Sequence, residues 1–297
     1  MKKIIIDIGS ANTKSYLIDE NNKIDKLDET YILLKKGFNP NIGLDKDNEK
    51  ELFKTINKIK SLYKYPIYVY ATGVFRVMNE DVLNQFKNEF KKQTKLNFNM
   101  VNPQEEIKYI TDAVSSYVTL TEPILICSVG GGSTEIIIKE KDEIIEDKLI
   151  EFGVGDINNK FPDLAENYAS SKISDIMKYI KENIILPNIK VKYAFFTGGH
   201  LKYTTTAKFP LEKNIFFNND NIPYCIKPLK YKKSNNEIVE ERDLNSLKEK
   251  HPDNPDWFNG ARACALVTDY IINNMGIEWF FPTDINMISG IVESLKE

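Results

Sequence analysis

The chain has 297 residues with 40 basic and 43 acidic side chains, which gives a formal net charge of −3. This length predicts about two domains, and the near-neutral charge gives no reason to expect a nucleic-acid partner. The two histidines are too few for a metal centre built on a histidine cluster, and the three scattered cysteines argue against a disulfide framework and for a reducing compartment.

The N-terminal segment opens with a basic pair and a short apolar run. That run covers only residues 4–6 before Asp7 interrupts it, so it does not match a signal peptide. No later apolar stretch reaches the roughly 18 residues that a membrane-spanning helix needs. We therefore expect a cytoplasmic protein without a membrane partner.

The first part of the chain alternates predicted strands and helices. β-Branched residues precede a Gly9-Ser10 turn and a second strand resumes after it. In the helices, apolar residues recur at three- and four-residue spacing. The predicted elements are strands 2–9 and 15–20, helix 47–63, strand 66–73, helix 79–93, strand 97–101 and helix 102–118.

The second part opens in the same way as the first, which indicates a weak internal duplication. A buried strand ends in three consecutive glycines, and a returning hairpin turns at Lys141 and Asp142. Residues 209–255 form a polar stretch in which we expect exposed loops and one or two helices. The other predicted elements are strand 122–132, hairpin 133–153, helix 170–184, strand 193–200, helix 256–276, strand 277–284 and helix 285–297.

Glycine is concentrated in short turns at the ends of the predicted strands. Glycine there allows the backbone to approach a ligand closely and to direct N–H groups at an anion. Several such turns with neighbouring hydroxyl groups favour a phosphate cradle, while a tight hairpin is the alternative for each turn alone. A P-loop is excluded because no GxxxxGK[ST] run occurs. The turns and their hydroxyl residues comprise Gly9, Ser10, Gly130, Gly131, Gly132, Ser133, Thr134, Gly153, Gly155, Thr197, Gly198 and Gly199.

Acidic residues stand beside these turns. Asp7 lies on an apolar strand just before the first turn, and Glu135 follows the glycine triplet. A buried acid needs a partner, such as a metal ion or a positioned water. Glu105 and Glu106 open a predicted helix, where helix electrostatics alone also favour acids.

Arg76 and His200 are the other candidates beside a glycine. Arg76 is one of only three arginines and follows a strand and a glycine. Its planar guanidinium suits bidentate phosphate binding, and a surface salt bridge is the alternative. His200 follows Gly199, and we interpret it as a local turn residue rather than a ligand contact.

Six segments match, in order and spacing, the motifs of a known family. They are IIIDIGSANTKSYLID, YATGVFRVMNEDVLNQF, NPQEEIKYITDAV, SVGGGSTEIII, FGVG and FTGGHLKY. The most specific is SVGGGSTE, which is similar to a DIGGGSTE run. Together they resemble the exopolyphosphatase/guanosine-pentaphosphate phosphatase (Ppx/GppA) family from residue 3 to about residue 293. The chain resembles a short form, because it stops where longer members add a helical domain with an HD motif.

The resemblance implies an α/β fold of two actin-like, ribonuclease H-like domains with a ligand cleft between them. The first domain would comprise residues 1–117 together with the C-terminal helix at about 284–297. The second would comprise residues 118–283. Because members of the family often pair, a homodimer is a further expectation.

The resemblance also implies hydrolysis of a terminal phosphate from inorganic polyphosphate or a guanosine penta- or tetraphosphate, with Mg²⁺ or another divalent cation. By motif position, Glu106 would be the general base, with Glu135 and Arg76 as further catalytic residues. Asp7, Glu106 and Glu135 would hold the metal. The implied phosphate-binding residues are Gly9, Ser10, Asn12, Lys14, Gly131, Gly132, Ser133, Thr134, Thr197, Gly198 and Gly199.

The chain departs from the family pattern at three charged positions. Ser128 replaces the Asp of DIGGGSTE, Asp156 replaces the Arg of a GxVR segment, and Lys14 replaces an Arg. Two alternatives therefore stay open. One is a family member that binds polyphosphate or guanosine polyphosphates as a sensor, and the other is an actin-like ATP-binding protein.

Overall fold

The chain divides into two compact units, Met1–Glu105 and Glu106–Glu297. The computed structural model describes residues 1–118, 122–217, 219–241, 243–252 and 254–294. Among these, no helix is long and apolar enough to cross a lipid bilayer. The domain boundary expected after residue 117, with a C-terminal helix returning to the first domain, stays a prediction.

The first unit is built on a five-stranded mixed sheet of order β3-β2-β1-β4-β5. The first three strands are antiparallel neighbours, and β4 and β5 continue the sheet in parallel with β1. Apolar residues of both helices pack with those of the central strands in one core. The elements are β1 (Lys3–Ile8), β2 (Asn12–Ile18), β3 (Ile24–Tyr31), α1 (Lys46–Leu62), β4 (Ile67–Ala71), α2 (Glu80–Thr94) and β5 (Phe98–Met100).

The second unit contains a five-stranded sheet of order β12-β9-β6-β7-β8 and a two-stranded β10-β11 ribbon. Helix α3 (Pro103–Ser115) begins in the first unit and continues into the second. The helices after it are α4 (Val154–Lys160), α5 (Ile173–Asn183), α6 (His200–Thr206), α7 (Pro228–Glu240), α8 (Asn245–Lys248), α9 (Ala261–Asn274) and α10 (Met287–Ser294). The strands are β6 (Ile124–Val129), β7 (Thr134–Glu140), β8 (Glu143–Ile150), β9 (Tyr193–Thr197), β10 (Glu212–Lys213), β11 (Tyr224–Cys225) and β12 (Trp279–Pro282).

The two five-stranded sheets have the same connectivity. In each, three consecutive antiparallel strands are followed by two strands parallel to the first, so β6, β7, β8, β9 and β12 correspond to β1 to β5. This repetition confirms the internal duplication and the two-domain actin-like α/β class.

Differences from the predicted elements have local causes. Strand β3 was not predicted, because it lies at a sheet edge and charged side chains interrupt its apolar alternation. Helix α4 was also missed, since it has only seven residues and therefore little periodic signal. The helix predicted over 256–276 begins at Ala261, because a 3₁₀ turn occupies Pro255–Gly260. The helix predicted over 285–297 spans Met287–Ser294, and its last three residues lie outside the described part.

A fully buried arginine holds the helical part of the second unit together. Arg262 on α9 has no solvent exposure. Its guanidinium donates to the carbonyl oxygens of Glu166 at 2.8 Å and Asn167 at 3.0 Å, and at 3.4 Å to those of Leu164 and Ile238. The side chain therefore ties α7 and the 164–167 segment to α9.

Candidate phosphate-binding and catalytic site

The first glycine turn joins β1 to β2 and is closed by its own backbone. The N–H of Gly9 donates to the carbonyl of Asn12 at 2.9 Å. The carbonyls of Ser10 and Ala11 accept N–H groups from the segment 32–35. Among the described residues, no hydrogen bond uses the N–H of Ser10 or Ala11. Consecutive free amides in a turn are typical of an anion-binding nest.

Ser10 connects this turn to the segment that carries Arg76. Its hydroxyl oxygen accepts the N–H of Val74 at 3.0 Å. Gly73 has a φ of +64°, and a Cβ there would lie 2.0 Å from the Ser10 hydroxyl, so only glycine fits. The N–H of Arg76 then donates to the Gly73 carbonyl at 3.0 Å. Hydrogen bonds therefore connect the first turn to the segment that carries Arg76, within the first unit.

A row of charged side chains crosses the first sheet next to the turn. The strand register pairs Asp7 with Lys14, and Lys14 with Glu29. The Lys14 ammonium lies 3.9 Å from a Glu29 carboxylate oxygen. Burial raises the pKa of Asp7, Lys14 opposes this increase, and Glu29 adds to it. Lys14 thus lies between two carboxylates, and Lys26 also contacts the Glu29 carboxylate.

The second glycine turn joins β6 to β7 and repeats the first. The N–H of Gly130 donates to the carbonyl of Ser133 at 2.8 Å. The carbonyls of Gly130 and Gly131 accept the N–H groups of residues 154–155 at 2.9 and 2.8 Å. No hydrogen bond in the described part of the chain uses the N–H of Gly131 or Gly132. In both turns, two neighbouring carbonyls accept hydrogen bonds from another segment, and two consecutive amides have no hydrogen-bond partner in the described part of the chain.

Gly153 makes the close approach to this turn sterically feasible. A Cβ on Gly153 would lie 2.5 Å from the Gly130 carbonyl oxygen and 2.8 Å from the Ser133 nitrogen. The Asp156 carboxylate accepts the Gly153 N–H at 3.0 Å and caps α4. Asp156, where the resemblance leads us to expect an arginine, therefore has a structural function beside the turn.

Glu135 is a buried carboxylate held at the start of β7. The Ser133 hydroxyl donates to it at 2.6 Å, and the two residues are 5% and 1% exposed. The register pairs Glu135 with Ser128, and Ser128 with Thr197 on β9. Cross-strand partners share a sheet face, so the row contains one carboxylate and two hydroxyl groups.

The adjacent acids Glu105 and Glu106 have different environments. The Glu105 carboxylate accepts the N–H of Asn102, and the Asn102 side chain accepts the N–H of Glu105, both at 2.9 Å. This reciprocal pair is a helix cap, so helix electrostatics explain Glu105. Glu106 is only 7% exposed, which sets it apart as the candidate for chemistry.

The glycine pair after β9 borders an aromatic side chain that sequence reasoning missed. Gly198 is exposed with a φ of +86°, and a Cβ on Gly199 would lie 2.9 Å from the Trp257 ring. No motif marks Trp257, which is distant in sequence. His200 is buried, and its Nε2 lies 3.7 Å from the Cys264 sulfur. Burial lowers the pKa of His200 to about 3, so it is neutral near pH 7.

The described carboxylates could hold Mg²⁺ only together with ligands from outside the chain. Among the described residues, no group of three or more His, Cys, Asp or Glu side chains could hold a metal by itself. Mg²⁺, however, is usually bound by one or two carboxylates together with substrate phosphates and water. The buried Glu135 carboxylate, beside amides suited to phosphate, fits that mode of binding.

Comparison with known proteins places these features in a family context. The model of the Ppx/GppA phosphatase family matches residues 31–194. No curated protein matches the chain. An exopolyphosphatase from Cytophaga hutchinsonii has a TM-score of 0.79 at 12% identity, covering 99% of this chain and 97% of its own. The Aquifex aeolicus member of the Ppx/GppA family has a TM-score of 0.70 at 16% identity, covering 100% of this chain and 98% of its own.

Proposed function

The chain belongs to the Ppx/GppA phosphatase family, and we propose that it hydrolyses the terminal phosphate of inorganic polyphosphate or guanosine pentaphosphate. The observation that carries the proposal is the pair of glycine turns, each with two paired carbonyls and two consecutive amides that no other described residue binds. Such turns suit the phosphoryl oxygens of a polyanion. Phosphoryl transfer depends mainly on positioning and charge stabilisation, which these elements supply.

In the proposed reaction, the buried Glu106 is the general base. Its carboxylate accepts a proton from water as the water oxygen bonds to the terminal phosphorus. The bond from that phosphorus to the bridging oxygen breaks, and the shortened chain leaves with the electron pair. Glu135 orients the reacting groups, and the Arg76 guanidinium binds phosphate oxygens, a contact to which its planar fork is suited.

The remaining residues bind phosphate or a cation. Bound Mg²⁺ would neutralise phosphate charge, and Asp7, Glu106 and Glu135 are the residues proposed to hold it. Because burial raises the pKa of Asp7, a neighbouring cation would favour its ionised form. The proposed phosphate-binding residues are Gly9, Ser10, Asn12, Lys14, Gly131, Gly132, Thr134, Thr197, Gly198 and Gly199.

The proposal is tested by measuring phosphate release from inorganic polyphosphate and from guanosine pentaphosphate in parallel. Each substrate is assayed once with Mg²⁺ and once with EDTA. We expect Mg²⁺-dependent release from at least one substrate and its loss in EDTA. Stabilisation by ATP alone would instead support the ATP-binding alternative. The homodimer stays a prediction that analytical ultracentrifugation would test.

One observation favours a sensor as the second candidate. Ser128 leaves Glu135 as the one carboxylate of its row across β7, β6 and β9, which reduces the charge available to hold a metal. A sensor would bind polyphosphate tightly without releasing phosphate. Restoration of release in the Ser128→Asp variant would identify the missing carboxylate as the cause.

A further inference from the structure

Ser133 and Glu135 form a buried hydrogen-bonded pair beside the second turn. Residues two apart in an extended chain project to the same side, which brings the Ser133 hydroxyl to 2.6 Å from a Glu135 carboxylate oxygen. Both side chains are almost fully buried. Hydrogen bonds to an ionised acceptor are shorter and stronger than neutral ones, so this contact restrains the carboxylate.

The first turn forms the same closing backbone hydrogen bond without a hydrogen-bonded pair like Ser133 and Glu135. The two turns have the same closing hydrogen bond, and the register makes Lys14 the equivalent of Glu135 and Asn12 the equivalent of Ser133. The side-chain amide oxygen (Oδ1) of Asn12 has no hydrogen-bond partner among the described residues. Lys14 instead approaches Glu29. The bond from hydroxyl to carboxylate is therefore specific to the second unit.

We infer that Ser133 is a positioning residue for Glu135 and does not donate its hydroxyl proton to phosphate. A serine hydroxyl has one hydrogen, and the structure directs it to the carboxylate. The amides of Gly131 and Gly132 remain as the donors of this turn for phosphate. The inference rests on the proposed function, because it assigns Ser133 to orientation of a catalytic acid instead of substrate affinity.

The kinetic consequences of the two assignments differ. If Ser133 only orients Glu135, loss of the hydroxyl removes one restraint on the carboxylate and lowers kcat. If Ser133 binds phosphate, its loss weakens the substrate complex and raises KM. Threonine retains a hydroxyl at this position, whereas alanine removes it.

The experiment compares Ser133→Ala and Ser133→Thr with the wild type. We expect kcat of Ser133→Ala to fall by about tenfold or more, the effect of losing one hydrogen bond to a charged group. The Kd for inorganic tripolyphosphate, measured by calorimetry, should stay within about twofold, and Ser133→Thr should regain most of kcat. A weakened Kd with unchanged kcat would overturn the inference.

A matched control separates orientation from loss of a buried hydroxyl in general. The Thr283 hydroxyl donates to the Phe196 carbonyl at 2.9 Å. The Thr283→Val variant removes this buried hydroxyl and should leave kcat near the wild-type value. If the wild type releases no phosphate, the proposed function fails, and crystal structures of the Ser133→Ala variant and the wild type test the inference alone. A displaced Glu135 carboxylate would support it, and an unmoved one would overturn it.

Discussion

Replacing Glu106 by Gln preserves the size of a buried side chain and removes its ability to accept a proton. Because Glu106 is only 7% exposed, bulk water has little access to take over the role of proton acceptor proposed for it. Loss of a general base typically lowers the rate by about a hundredfold to ten-thousandfold. We therefore expect kcat of Glu106→Gln to fall by at least about a hundredfold, with KM changed far less.

Glu105→Gln is the matched control, because it makes the same change at the neighbouring position. Glu105 is exposed, and its carboxylate caps α3 through the N–H of Asn102. Glutamine can accept the same hydrogen bond, so the loss is limited to the favourable charge at the helix N-terminus, about 0.3–1 kcal/mol. We expect a slightly lower free energy of unfolding and kcat within about twofold of the wild type.

Phosphate release is measured with a colorimetric assay on polyphosphate and guanosine pentaphosphate, at saturating Mg²⁺. Urea titration of both variants checks that the proteins are folded. A Glu106→Gln variant within about tenfold of the wild-type kcat would refute the role of general base, since a missing base costs more than that. An equal loss in Glu105→Gln would show that charge at the helix start, not the buried carboxylate, controls the rate.

Three further predictions concern packing and pH. In Gly153→Ala the new Cβ would lie 2.5 Å from the Gly130 carbonyl oxygen. We therefore expect a lower free energy of unfolding and a roughly tenfold weaker Kd for tripolyphosphate, measured by calorimetry. An unchanged Kd would contradict the role of Gly153 in shaping the second turn. Arg262→Met leaves buried carbonyls unpaired and should lower the free energy of unfolding in urea by about 3 kcal/mol or more, whereas a loss below about 1 kcal/mol would refute this. Burial lowers the pKa of His200 from 6.5 to about 3, so the unfolded chain binds the proton more tightly and acid favours unfolding. Its contribution to stability should fall by about 2 kcal/mol between about pH 7 and pH 5, and a His200→Gln variant with the same pH dependence as the wild type would contradict this.

The sequence predicts the parts of the fold that have strong local signals. The strands beside the glycine turns and the long amphipathic helices α1 and α2 are confirmed, because their periodicity is local. Cross-strand register is not local, so the row of Glu135, Ser128 and Thr197 emerges only from the fold. Trp257 was missed for the same reason, since it reaches Gly199 from a distant segment.

The distinction between Glu105 and Glu106 required the three-dimensional structure for another reason. Both acids open the same helix, and any acid there is favoured by the helix dipole. What separates them is the direction of each side chain, which places one in a reciprocal cap with Asn102 and buries the other. Sequence reasoning could therefore weigh the two explanations but not assign one to each residue.

The two glycine turns share a backbone design but carry opposite charge at one matched position. Both turns have two paired carbonyls and two consecutive amides without a hydrogen-bond partner in the described part of the chain, and a backbone arrangement of this kind can bind an anion without a particular side chain. Lys14 in the first unit and Glu135 in the second then give each turn its own electrostatic character. Phosphate bound at the first turn would have the Lys14 cation nearby, with Asp7 and Glu29 offsetting part of its charge. Phosphate bound at the second turn would instead be close to the Glu135 carboxylate, which repels phosphate unless a cation lies between them. This asymmetry is the physical reason to expect Mg²⁺ to matter at the second turn.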